Sequence, residues 1–194
     1  IEPLAVTVRA VRNSRLRVGD LAVVIGGGPI GFLTALVARL AGAEVLLSEV
    51  SPSRLRLARE AGLGVIDAKS EDPVETVLAA TGGEGAEVVF DAAAVKASAE
   101  QAVRMVAPRG EVVVLGVFKE PTPVNLLKVN NLELRLEGTR AYSDEDFRVA
   151  IALLGKKSIP EDLVISHVLA LDRAQEGIDL ARAAEGAMKV LLVP

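Results

Sequence analysis

VVIGGGPIG, residues Val23–Gly31, is the stretch from which the rest of the chain is read. Four glycines fall within these nine residues, behind one apolar run and ahead of another, IGFLTALVARLAGA (30–43). Glycine is costly to order, so four in one turn need a reason. Their spacing is Gly26-x-Gly28-x-x-Gly31. Gly26 permits a tight turn, Gly28 lets the backbone approach a pyrophosphate without a Cβ in the way, and Gly31 lets a helix lie close to a strand. Amide hydrogens at a helix N-terminus, carrying about half a positive charge, then face the phosphates. A glycine-rich turn alone is a weak signal. This one leaves a predicted strand, opens a predicted helix and begins a βαβ unit, which is the context a dinucleotide turn requires. A turn serving only strand–helix packing needs one or two glycines.

Working outward, IEPLAVTVRAVRNS (1–14) reads as a helix with Pro3 in its first turn. Leu4, Val8 and Val11 share one face, and Arg9, Arg12 and Arg15 step round the other as solvated side chains. After a turn at 17–20, strand and helix alternate. LAVVIGG is a strand, then the helix to Gly42, then the strand EVLLSEV (44–50), then a helix from Ser51 and Pro52 to Gly62. GVIDA (64–68) is a strand, and Asp72 and Pro73 open a helix that closes at Gly82. AEVVFDAA (86–93) is a strand, 96–110 a helix ending near Pro108 and Gly110, and EVVVLGVF (111–118) a strand. Strands that are apolar throughout, with short connections and intervening helices, argue for an α/β fold with a parallel sheet covered on both faces.

Beyond Phe118 the pattern changes. KEPTPVNLLKVNN is a longer connection, and LELRLEG (132–138) alternates strictly, as a strand with one wet face does. Ser143 caps a helix with an acidic first turn, LVISHVLA (163–170) is a strand, Asp172 caps a helix that stops at Gly186, and KVLLVP ends the chain as a strand.

The net charge of −4 argues against a nucleic-acid partner. No apolar run reaches the roughly 18 residues that a membrane span needs. No cysteine is present, which excludes disulfides, thiolate metal sites and a cysteine nucleophile, and fits a cytoplasmic chain. The single histidine, His167, reads as a structural or surface residue, because zinc wants three or four ligands. No catalytic residue and no metal ligand is assigned.

Glu49 ends the second strand, eighteen residues beyond Gly31, where a carboxylate accepts both ribose hydroxyls of an adenosine and repels a 2′-phosphate. That favours NAD over NADP. Arg54, one helical turn on, is a companion for the ribose or for a 2′-phosphate. The ends of the fourth and fifth strands, Asp91–Ala94 and Leu115–Phe118, carry small residues that leave room for a flat ring, with Gly116 and Val117 offering backbone groups to a carboxamide. A methyltransferase binding S-adenosylmethionine shares the turn and the acid, but the third glycine at its dinucleotide spacing stands against it. A non-catalytic nucleotide sensor is the other rival.

Taken together, EPLAVTVRAVR, VGDLAVVIGGGPIG, SEVSPSRLRLAREAG and VVVLGVF, with the tail from GTRAYSDEDF to KVLLVP, resemble the medium-chain, zinc-dependent alcohol dehydrogenases, in particular the polyol, butanediol and threonine dehydrogenase branch. The resemblance implies a Rossmann doubly wound parallel sheet with helices on both faces. It matches the family's phosphate turn to Gly26, Gly28, Pro29, Ile30 and Gly31, its ribose acid to Glu49 and its basic companion to Arg54. The nicotinamide side matches Leu115, Gly116 and Val117, with Arg140 near the cofactor. It further implies a linking helix at 1–16, an NAD-binding domain at 17–160, and a segment at 161–194 that packs towards a catalytic domain. It implies pairing with a twofold mate through Leu132–Gly138. The family's zinc sits on cysteine, histidine and glutamate in that catalytic domain, and those ligands are missing here. The chain starts at Ile1 rather than methionine. The expectation is therefore the cofactor-binding portion of a longer dehydrogenase of secondary alcohols, binding NAD without turnover. A zinc-free quinone-reductase relative is the alternative.

Overall fold

The computed structural model describes residues 1–183 and 186–194. Six parallel strands form the main sheet: β1 (Leu21–Ile25), β2 (Glu44–Glu49), β3 (Gly64–Asp67), β4 (Ala86–Asp91), β5 (Val106–Val114) and β6 (Arg135–Gly138). Their spatial order is β3-β2-β1-β4-β5-β6. This is the Rossmann order, in which the chain leaves β1 in one direction, then crosses back over it to β4. The crevice at that reversal opens at the carboxyl ends of β1 and β4, where the glycine turn stands.

Alternation along the strands fills two cores. Ala22, Val24, Val88 and Phe90 face α1 (Glu2–Asn13), α2 (Pro29–Leu40), α3 (Pro52–Glu60) and α7 (Asp144–Gly155). Val23, Ile25, Val89 and Val112 face α4 (Pro73–Ala80) and α5 (Lys96–Met105). Phe32, Phe90, Leu36 and Leu47 are among the largest fully buried side chains. Both faces of the sheet are thus dry, which is why its strands read as continuous apolar runs.

Several boundaries differ from the sequence reading. The helix expected over 96–110 stops at Met105, and the strand begins at Val106. Pro108 has no amide hydrogen to give a helix and pushes Ala107 towards extended backbone. Leu115–Phe118, expected as strand, lies beyond the end of β5. Within the expected connection, Asn125 caps a short helix α6 (Leu126–Asn131), its side chain accepting from the Lys128 amide at 3.1 Å. The turn that ends this helix occupies the start of the strand expected at 132–138. Leu132 caps the helix and Glu133 takes a left-handed φ of 53°, so only Arg135–Gly138 pairs with β5.

The tail holds α8 (Glu161–Val164), β7 (Ile165–Ala170), α9 (Ala174–Ala183) and β8 (Lys189–Val193). β7 and β8 pair in parallel as a separate two-stranded sheet. Asp172 sits within a 3-10 turn (Leu171–Arg173) rather than at a cap. The expected run of the last helix towards Gly186 crosses 184–185, which lie outside the described residues. The half-buried His167 makes one side-chain hydrogen bond among the described residues, to its neighbour Ser166, Nδ1 to Oγ at 3.0 Å. Among the described residues no helix is long and apolar enough to cross a membrane.

Arg9 and Arg12 are not free on the surface. They reach Asp146 of α7 at 3.4 and 3.0 Å, and Arg12 also meets Glu145 at 2.6 Å. Asp146 is buried. Burial alone would raise its carboxyl, but the Ser143 hydroxyl and amide, with Arg9 and Arg12, outweigh it and hold the group below the ordinary carboxylate value.

Candidate dinucleotide site

The three spaced glycines have three different physical reasons. Gly26 has φ +95°, a conformation other residues rarely adopt, and its amide closes the turn onto the Ser48 carbonyl at 2.8 Å. At Gly31 a Cβ would collide with the Gly26 carbonyl oxygen, so α2 can lie across the turn only without one. Gly28 is the exception. Its φ is an ordinary −66°, and a Cβ built there would meet nothing closer than Arg54 Nη1 at 3.9 Å. Neither backbone angle nor internal packing requires glycine at 28. The space above it is open, as it must be for a backbone that a ligand approaches.

Gly28 caps α2, and Pro29, with no amide hydrogen, is its first residue. The amides of Gly28, Ile30 and Gly31 donate to no acceptor among the described residues, and the first bond of the helix is Phe32 N–H to Gly28 O at 2.8 Å. Three unsatisfied donors converge at the positive end of a twelve-residue helix whose first turn holds no acidic side chain.

Glu49 stands where the sequence puts it, at the end of β2, but its carboxylate is engaged inward. Oε2 accepts from Gly27 N–H at 2.8 Å and lies 3.5 Å from Arg54 Nη1. Oε1 accepts from the amides of Val50 and Ser51 at 2.6 and 2.9 Å. The side chain thus braces the glycine turn against the β2–α3 turn. Arg54 bridges this carboxylate and the space over Gly28, and its Nε is buried without a partner.

A second cluster lies at the ends of β5 and β6. A cleft of about 500 Å³ is lined by Ile30, Leu115, Gly116 and Val117, together with Thr139 and Arg140. Ile30 belongs to both clusters, so the cleft continues from the phosphate turn. The amides of Leu115 and Gly116 are committed inward, both donating to the Asp91 carbonyl at 2.9 Å. Gly116 is glycine because a Cβ would strike Ala94 Cβ, a packing reason rather than a ligand one.

Two residues here escaped the sequence reading. Asp91 is buried, and burial pushes its carboxyl up, partly offset by hydrogen bonds from Ala94, Ser98 and Ala93. It ties β4 to the next turn through Ala93 and Ala94 N–H at 3.1 and 3.0 Å and Ser98 Oγ at 2.9 Å. An aspartate opening a run of small residues was the available signal. Thr139, whose hydroxyl is buried without a partner among the described residues, precedes the expected Arg140 in the GTR stretch, and that adjacency was the available signal.

A zinc-binding dehydrogenase family model matches residues 29–156. The chain belongs to that family. It is 40% identical over 173 residues to the 2-dehydro-3-deoxy-L-galactonate 5-dehydrogenase of Pseudoalteromonas atlantica, covering 87% of this chain and 49% of that protein. Among solved structures, the 2R,3R-butanediol dehydrogenase of Bacillus subtilis superposes with a TM-score of 0.94 at 29% identity, over 100% of this chain and 56% of that one. A Sinorhizobium meliloti protein assigned as a zinc-binding dehydrogenase and solved bound to NADP gives a TM-score of 0.91 at 34% identity, over 100% and 58%. The chain spans about half the length of these relatives and corresponds to their cofactor-binding part. Its residues do not fit a zinc centre: cysteine is absent, histidine occurs once, and among the described residues no cluster of three candidate ligands forms.

Proposed function

We propose that this chain binds NAD(H) for a dehydrogenase acting on a secondary alcohol of the polyol class. The observation that carries the reading is Gly28: open space over an unstrained glycine, beside three amide hydrogens without acceptors. A diphosphate supplies oxygens to those donors, and the adjoining cleft accepts a flat, mostly apolar ring. When bound, the dinucleotide supplies hydride chemistry at its nicotinamide ring. This chain's own residues supply position. Gly28, Ile30 and Gly31 fix the phosphates. Ile30, Leu115 and Val117 wall the ring, and Arg140 lines the same cleft. Such orientation is worth several kcal/mol of barrier. The alcohol-binding groups and the zinc belong, in this reading, to a further portion of a longer cytoplasmic protein, with 1–16 linking and 161–194 facing it.

The preference for NAD rests on the negative charge of Glu49. NADP is the second reading, because Glu49 spends its oxygens inside the fold while Arg54 keeps a buried Nε without a partner. The relative from S. meliloti was solved with NADP. The open edge of β6 is also where a second copy would pair.

Calorimetric titration of the chain with NADH, NADPH and S-adenosylmethionine tests the reading. NADH is expected to bind more tightly than NADPH, and S-adenosylmethionine not at all. A heat signal from S-adenosylmethionine alone would reverse the assignment. Sedimentation of the same samples is expected to find dimers, and a strictly monomeric species at tens of micromolar would remove the pairing.

A further inference from the structure

Among the described residues four carboxylates are buried, those of Glu49, Asp91, Glu111 and Asp146. Three of them face arginines: Glu49 faces Arg54, Glu111 faces Arg135, and Asp146 faces Arg9 and Arg12. Asp91 forms no ion pair among the described residues. Its oxygens meet uncharged donors, the Ala93 and Ala94 amides on Oδ1 and the Ser98 hydroxyl on Oδ2. Taking a carboxylate out of water without a cation is costly, and these hydrogen bonds offset its burial only in part. Asparagine has the same shape. Its carbonyl would accept from both amides, and its NH2 would donate to Ser98 Oγ, whose own hydrogen turns to the Val95 carbonyl at 2.8 Å. The turn after β4 can therefore be built without the charge.

The charge lies under the crevice. Asp91 ends β4 between Ile25 of β1 and Val114 of β5. Ala93, which its carboxylate holds, stands 3.1 Å from the place a Gly26 Cβ would take. The Ala94 nitrogen stands 3.0 Å from Asp91 Oδ1 and 3.0 Å from the place of a Gly116 Cβ, and Gly116 lines the cleft beside Ile30. One layer of backbone thus separates the carboxylate from the junction of phosphate turn and cleft. A ligand there feels its field through protein rather than through water. Nicotinamide dinucleotides exist in two forms that differ in charge at the ring. The oxidised ring is a cation, the reduced ring is neutral, and the rest of the molecule is the same. A negative charge without a cationic partner under the crevice distinguishes the two.

We propose, resting on the dinucleotide reading above, that Asp91 sets this chain's preference between oxidised and reduced cofactor: its buried carboxylate favours the cationic ring over the neutral one. Its repulsion of the diphosphate is common to both forms and cancels from their ratio. At about 10 Å, with an effective dielectric constant of about 20, one unit charge acting on another changes an equilibrium by about tenfold. A site so biased takes up the form that accepts hydride and lets go of the form that has received it. That bias explains why aspartate, rather than the isosteric asparagine, stands at the end of β4.

The test is calorimetry with NAD+, NADH and ADP-ribose, which keeps the diphosphate but lacks the nicotinamide. Affinities are measured on the full chain as wild type, Asp91→Asn and Asp91→Ser. Serine keeps a hydroxyl for the Ala93 and Ala94 amides, and it carries the comparison if the asparagine variant folds poorly. Each variant is expected to lose about five- to tenfold in NAD+ affinity relative to NADH, while NADH and ADP-ribose change by one common factor. A merely structural role would move all three ligands together and leave the ratio of NAD+ to NADH affinity as in wild type. That result overturns the proposal, and so does a ratio that shifts towards NAD+. If wild type binds none of the three, the dinucleotide reading itself fails and the proposal goes with it.

Discussion

Gly28 and Gly31 look alike in the sequence and differ in what they do. A methyl group at Gly31 would collide with the Gly26 carbonyl, whereas one at Gly28 would enter open space at an ordinary φ. Gly31→Ala is expected to cost about 1 to 3 kcal/mol of stability or more, because α2 must move off the turn. Gly28→Ala should keep or slightly raise stability, since alanine has fewer unfolded conformations to lose. It should nevertheless weaken NADH by at least about tenfold, because the methyl stands where the diphosphate comes to rest. Chemical denaturation and calorimetry on the pair check this, and equal behaviour of the two variants would contradict it. The glycine spacing was readable from sequence because it expresses a steric rule. The orientation of the Glu49 carboxylate was not. Four neighbours decide it, three of them backbone amides of residues 27, 50 and 51, and amides leave no trace in residue identity.

At the scale of elements, the α1–α7 pairing turns on Asp146. Ser143 and Asp146 form a capping box at the start of α7, and the same carboxylate takes Arg9 and Arg12 from α1. Its folded carboxyl is held below the ordinary value, so the folded state binds fewer protons there than the unfolded state does. The stabilisation is therefore complete above the unfolded value of about 3.9 and is lost as pH falls through the lower folded value. Asp146→Asn should cost about 1 to 3 kcal/mol at pH 7, with the gap to wild type closing below about pH 4. Thermal melts across that range measure it, and a gap independent of pH would exclude the ionic contribution. The arginine spacing on α1 was visible in the sequence, but its partner, more than 130 residues away, was not. The boundary of β5 shows a related limit. Apolar character runs on through Leu115–Phe118 beyond the point where pairing stops, and hydropathy cannot tell a strand from the loop that continues it.

Over the whole molecule, the doubly wound sheet was legible because five strand–helix alternations leave few topologies that keep both faces dry. The separate β7–β8 pair was not, because two short apolar runs do not announce that they will meet each other rather than the main sheet. The fold brings the phosphate turn and the β5–β6 cleft to one crevice, joined at Ile30, although their residues are about ninety positions apart in sequence. The claim on which this account stands is that amides at the start of α2 hold a diphosphate. Amide chemical shifts of the 15N-labelled chain, followed by NMR as NADH is added, test it most directly. The largest displacements are expected at Gly28, Ile30 and Gly31. Saturable binding that leaves those three signals in place would contradict it.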